Sequence, residues 1–360
     1  MIKKIAILIL TVGIFANCSS SDEENIPSTS FDRGAMLTNL ADNIIIPSYQ
    51  NFRVTMNTLK ADGSVFVETP TQDNLNKLRI SWKAAYKSWQ NIEMYNLGEA
   101  ENLQYKFYMN IYPLSVTDVE NNIASGNYDL AIANNHDAQG FPALDYLLYG
   151  VANTDASILE KYTTDANSQG YKTYLTDVLN QMSTLTNQVV SDWETSYRSE
   201  FISSTSNTAT SAVNKLVNDY VFYYEKGLRA NKIGIPAGIF SADALPEKVE
   251  AFYNNEISKE LALESLQAVV NLFEGANGTG LEEYLEALDR EDLATAISAQ
   301  FISAKTQIEN LNPSFSVQVS SDNSQMTLAY DELQKAVVLL KVDMLQAFNI
   351  SVDYVDADGD

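Results

Sequence analysis

Three stretches of the chain place charged side chains where chemistry could be done. The first closes an aromatic stripe: Trp82, Tyr86, Trp89 and Glu93 follow at steps of 4, 3 and 4, so a carboxylate ends an apolar helical face. Such a carboxylate is costly to bury unless paired or hydrogen-bonded. Glu93 is therefore either a site residue or a side chain reaching water from a frayed helix end. The second stretch is Lys226, Arg229 and Lys232, three cations in seven positions of a chain that has only 23 Lys and Arg. Cations suit the negative end of a helix dipole; alternatively, Arg229 pairs with Glu93 or Asp145, or grips an anionic ligand in bidentate fashion. The Gly- and Pro-containing run Ile233–Gly238 then breaks the helix, in a kind of loop where scaffolds present sites. The third is Gln139–Gly150, a short apolar helix between glycines that carries Asp145, with Pro142 in its first turn. His136, in the polar string Asn134–Asp137, reads as an exposed loop residue.

The rest of the composition removes most other chemistry. One Cys and one His exclude a disulfide scaffold, a Cys/His zinc site and a Cys–His nucleophile pair, and a Ser-His-Asp triad could use only His136. With 47 Asp and Glu the net charge is −24, which argues against a nucleic-acid partner. The 20 Tyr could stack on sugars, although Tyr86, Tyr220 and Tyr223 hold seam positions that core packing explains first. The ending Asp356-Ala-Asp-Gly-Asp360 looks like the start of a calcium loop but lacks the rest of the twelve-residue frame, so it reads as a solvated acidic tail.

The elements that must position these residues are helices. An all-α fold is expected, with 45% apolar residues, few Gly and Pro, and no sustained period-two alternation. From Thr71, the residues Leu75, Leu78, Trp82, Ala85, Trp89 and Ile92 form a 3-4 seam. Tyr171–Val189, Val213–Tyr223, Leu293–Ile308 and Met326–Met344 repeat it. Pro246 should open a further helix whose apolar face runs from Val249 through Phe252 and Tyr253 to Phe273, with Gly275 stopping it. The opening helix around Met36–Ile44 should kink or break near Pro47. Long helices with short links imply two antiparallel bundles packed together. The Ser-rich stretch 198–207 sets the boundary, giving domains 32–200 and 201–360. Gly140–Leu147 and Gly278–Leu285 share Gly, Tyr and Leu, with Asp145 opposite Glu283, which leaves duplication of one bundle open.

The N-terminus reads as a lipoprotein leader. Lys3 and Lys4 precede an apolar run from Ile5 to Ala16 that is too short to span a bilayer, and the only Cys, Cys18, follows Phe15-Ala-Asn17. Residues 1–17 form the signal, lipid on Cys18 would hold the protein to the membrane, and 18–31 is an acidic tether. Loss of the leader leaves 21 basic residues against 47 acidic, a net −26. No other apolar run is long enough to cross a membrane.

Several of these stretches resemble the imelysin-like family. Gln139–Gly150 is similar to its Gly-x-His-x-x-Glu signature and the Leu-Leu-aromatic-Gly run after it. The stretch from Trp82 to Glu93, Glu225–Pro236, the start Leu245–Glu250 and the ending from Val342 resemble the family too. The resemblance implies two helical-bundle domains with a site at their interface, export to the periplasm or cell surface at the outer membrane, and an association with iron acquisition. It also implies iron or another divalent cation as a ligand, and some members are metallopeptidases. Here Gly140 keeps the signature glycine, Pro142 stands where the His belongs and Asp145 stands for the Glu. Proline has no donor atom, so the signature metal pair is not intact. The expectation is a lipid-anchored, non-catalytic binding protein for an iron-related ligand or an envelope protein. Its candidate ligand-binding residues are Glu93, Gly140, Pro142, Asp145 and Arg229, with Glu93, Asp145 and Arg229 lining one cleft. Two alternatives stand beside it: a metallopeptidase using Glu93 and Asp145 as ligands, and a surface glycan binder.

Overall fold

The seam seen from Thr71 becomes a helix that the Thr71 side chain caps by accepting from the Asn74 amide. The computed structural model describes residues 31–354, and every regular element among them is helical. We label the main helices α1 (Arg33–Leu40), α2 (Ile46–Glu68), α3 (Gln72–Trp89), α4 (Gly140–Asp145), α5 (Ser168–Asp192), α6 (Ala212–Phe222), α7 (Ser258–Phe273), α8 (Glu291–Glu309) and α9 (Asn323–Val338). The signal-like run, Cys18 and the acidic tail Asp356–Asp360 lie outside the described residues. Phe31, placed in the tether by sequence, stacks on Tyr284 at 4.6 Å. No helix among the described residues is long and apolar enough to cross a membrane.

The helices bury their seams against neighbouring helices. In the first half α2 packs on α3 and α5, and in the second α8 packs on α7 and α9, while α9 also covers the segment Tyr223–Gly234. The halves meet where α7 lies along α3, with Lys83 and Lys87 of α3 paired to Glu260 and Glu264 of α7 on the surface. Residues 31–354 fall within one compact unit. Trp82, Trp89 and Trp193 are buried, as are Tyr86, Tyr220 and Tyr223, so none of these rings is presented to a sugar.

Four local expectations are corrected. Of the kink or break expected near Pro47, the break does not occur: a π-helical turn, Ala41–Ile45, joins α1 to α2 with helical angles at the joins. Its wider winding accommodates a residue that lacks an N–H and needs room for its ring. The stretch 198–207 is helical as far as Ser203. The helix expected from Pro246 to Phe273 is interrupted: only Pro246–Lys248 forms a 3-10 turn, residues 250–254 make a tight turn, and α7 starts at Ser258. Ala251 and Asn255 there take φ of 56°, which no Gly or Pro in the sequence announces. Finally, His136 is half-buried rather than exposed. It lies on the 3-10 turn Ala133–Ala138, parallel to Phe107 at 5.8 Å and edge-on to Tyr108 at 4.5 Å.

Candidate functional site

The aromatic stripe of α3 receives the segment that carries Asp145. Phe141 stacks on Tyr86 at 4.4 Å with the rings 3° from parallel, and it also meets Trp89 and Phe52. Gly140, with φ of 74°, allows this approach, because a Cβ there would sit 2.3 Å from the Met109 carbonyl oxygen. Pro142 is the third residue of α4, among the amides with no intrahelical partner, so its missing N–H costs nothing.

Asp145 leaves the end of α4 and crosses to the second half. Its two carboxylate oxygens accept from the backbone amides of Tyr253 and Asn254, both at 2.8 Å. Burial pushes its pKa up to about 7, against the pull of the two amides. In the echoing segment Glu283 behaves differently, accepting from the Gly280 amide at the start of its own helix. Asp145 thus ties α4 to the turn 250–254.

That turn delivers Glu250 to the core of the junction. Glu250 meets the Lys232 ammonium at 2.7 Å, and Lys232 lies 3.3 Å from Glu93. The Lys232 and Glu250 side chains are each 2% exposed and Glu93 is 14% exposed. Asn110 binds both carboxylates, donating to Glu93 at 2.7 Å and to Glu250 at 2.8 Å, while its own oxygen accepts from the Tyr86 hydroxyl. The Tyr223 hydroxyl donates to Glu93 at 2.9 Å. Gln90, held by Ser265 of α7, supplies a longer bond to Glu250. Burial alone would raise the Glu93 pKa, but the Lys232 ammonium, Asn110 and Tyr223 outweigh it and hold the carboxyl below its ordinary value. Burial would likewise lower Lys232, and the two glutamates outweigh it.

Lys226, Arg229 and Lys232 do not act as one patch. They belong to the π-helical segment Tyr223–Gly234, whose i→i+5 winding turns residues three apart away from a common face. Among the described residues, Arg229 (2% exposed) binds Tyr330, Gln334 and Glu225, not Glu93 or Asp145. Among the described residues, Glu93, Asp145 and Arg229 therefore do not converge on one another, and Glu93 lines a cavity. A cavity of about 220 Å³ runs past Glu93, between Met94, Asn96, Lys106, Phe107, Asn110 and Ile111 of the first half and Asp219, Phe222, Tyr223, Lys226, Gly227 and Asn231 of the second.

The donor set does not fit a resident divalent cation. Pro142 has no donor atom and both oxygens of Asp145 hold backbone amides. The place between Glu93 and Glu250 is filled by the Lys232 ammonium. Among the described residues no three His, Cys, Asp or Glu side chains converge as a metal site would require. The residues missed from sequence are Glu250, Asn110 and Lys232 as its partner. Lys232 was visible as one of three cations spaced by three, whereas Glu250 was hidden by the helical reading of 246–273.

The imelysin family model (peptidase M75) matches residues 45–343. An imelysin-like protein from Psychrobacter arcticum superposes with a TM-score of 0.71 at 18% identity, covering 90% of this chain and 97% of its own. A "putative iron-regulated protein A precursor" from Parabacteroides distasonis gives a TM-score of 0.72 at 15% identity, covering 88% and 95%. No curated protein matches the chain.

Proposed function

Since the chain belongs to the imelysin family, we propose that it is a lipid-anchored binding protein of the cell envelope that works in an iron-related context without catalysis. The observation that carries this reading is the cavity beside Glu93, formed between segments from both halves of the chain and backed by the Glu93–Lys232–Glu250 network. Clefts at such junctions are favoured ligand sites, mostly apolar with a few fixed polar groups. The absence of a donor atom at Pro142 and the ammonium between the two glutamates support binding over metal-assisted hydrolysis. Support for the iron context comes from the name of the Parabacteroides relative in fold. The N-terminal run ending at Cys18 supports an acyl anchor. With this anchor the membrane is one partner, an envelope protein or iron-related ligand is the other, and nucleic acid is disfavoured by charge.

Calorimetric titration of the intact protein with ferrous, ferric and haem iron tests the reading. Micromolar binding in any of the three forms, weakened in Glu93→Gln, supports it; no binding of any form removes the iron link. Acyl labelling in cells, lost in Cys18→Ala, tests the anchor.

A further inference from the structure

The junction cavity carries opposite charges that do not neutralise one another. Lys106, on the short helix Tyr105–Met109, is half-buried with its ammonium over the rings of Phe222 at 4.9 Å and Phe107 at 5.5 Å. Among the described residues no carboxylate lies within 4.0 Å of it. Asp219, on α6, is held by one bond from the Asn96 amide at 2.9 Å. Lys106 acts on Asp219 through space without forming an ion pair, and burial raises the Asp219 pKa to about 7. The cation and the anion thus line one cavity from two halves of the chain, each held by neutral groups.

These two side chains, with Asn96 and Phe222, also line an adjoining cavity of about 280 Å³. The four residues therefore line both spaces, each large enough for part of a small molecule. Met94, Ile111 and Tyr223 supply apolar surface beside them, and Asn96 and Asn231 supply amides. A simple anion entering here meets Asp219 and Glu93, and a simple cation meets Lys106 and Lys226. Only a ligand with both signs matches the lining, which is how charge complementarity selects a partner.

We propose that this cavity binds a small molecule of amino-acid size, its carboxylate against Lys106 and its ammonium against Asp219. The proposal rests on the reading of the junction cavity as the binding site and names the ligand class for it. The thermal stability of the full-length protein, measured with each of the twenty L-amino acids at about 10 mM, tests it. Acetate and ethylamine, each carrying one of the two charges, serve as comparators. At least one amino acid should raise the unfolding temperature and bind in calorimetry, and neither comparator should. Lys106→Gln and Asp219→Asn should each weaken that binding by about tenfold or more, as loss of a charge-assisted bond does. Lys106→Arg should keep it. Absence of binding by all twenty, or binding indifferent to both neutral variants, overturns the proposal. A positive iron titration alongside a negative amino-acid panel would remove this ligand class while leaving the cavity reading in place; the reverse would remove the iron link alone.

Discussion

Replacing Lys232 by Met keeps the length of a buried side chain and deletes the ammonium between Glu93 and Glu250. In the native protein that ammonium is 2.7 Å from Glu250 and 3.3 Å from Glu93, and it is 2% exposed. Removing one partner of a buried ion pair costs about 3–5 kcal/mol, because a desolvated charge is left uncompensated. Here two carboxylates joined through Asn110 would be left together, so one of them should take up a proton. Urea unfolding followed by the fluorescence of the buried tryptophans reads the loss at pH 7. The pH dependence gives a second signature. In the native protein Glu93 is held below its ordinary pKa, so its contribution is present above the unfolded pKa and is lost as pH falls through the folded one. In Lys232→Met the carboxyls are raised instead, and stability should rise as pH falls from 7 toward 5. Adding Glu250→Gln to Lys232→Met should recover about half of the loss or more, a non-additivity expected of residues in one network. A Lys232→Met protein within about 1 kcal/mol of the native one would refute the claim that this cation holds the junction together.

Three further outcomes follow from the same geometry. Asp145→Asn offers one acceptor and one donor to two backbone amides, so it should lose about 1–3 kcal/mol. Hydrogen exchange at Tyr253 and Asn254 should accelerate, and unchanged protection there would contradict the tie between α4 and the turn 250–254. Gly140→Ala must fit a methyl where the Met109 carbonyl lies 2.3 Å away at a φ of 74°, and strain of this kind costs about 1–3 kcal/mol before any overlap; a thermal scan showing no loss would argue against the close approach. Asp219, raised to about 7, should titrate near neutrality by carboxyl NMR. Its protonated form stabilises the fold below the unfolded pKa of about 4, and that contribution is lost as pH rises to about 7, a slope that Asp219→Asn should flatten.

Much of the scaffold is legible in the sequence because packing is periodic. The seams of α3, α5, α6, α8 and α9 appear where apolar residues recur at helical spacing, and the stripe leaves two readings open for Glu93, which the structure places beside Lys232 in the junction. The partners of that carboxylate are harder to see. Glu250 sits on a reversal made by Ala251 and Asn255 at positive φ, residues that carry no turn signal, inside a stretch whose apolar spacing mimics a helix. Arg229 was read as a partner of Glu93 or Asp145, or of an anionic ligand; the π winding turns it away from Lys232, and it meets Tyr330, Gln334 and Glu225. His136 looked exposed because its neighbours in sequence are polar, while the rings that cover it, Phe107 and Tyr108, come from nearly thirty residues upstream. The departures arise where long-range contacts override local pattern.

The placement of the buried ammonium has a bearing on how the molecule assembles. Glu93 is contributed early in the chain, whereas Lys232 and Glu250 arrive more than a hundred residues later. A fragment ending before Lys232 would expose an orphan acid at the very surface meant for docking. Apolar collapse of either portion onto an incorrect mate is thereby penalised, and correct apposition is rewarded. Only apposition of the early and late helices brings this acid its cation.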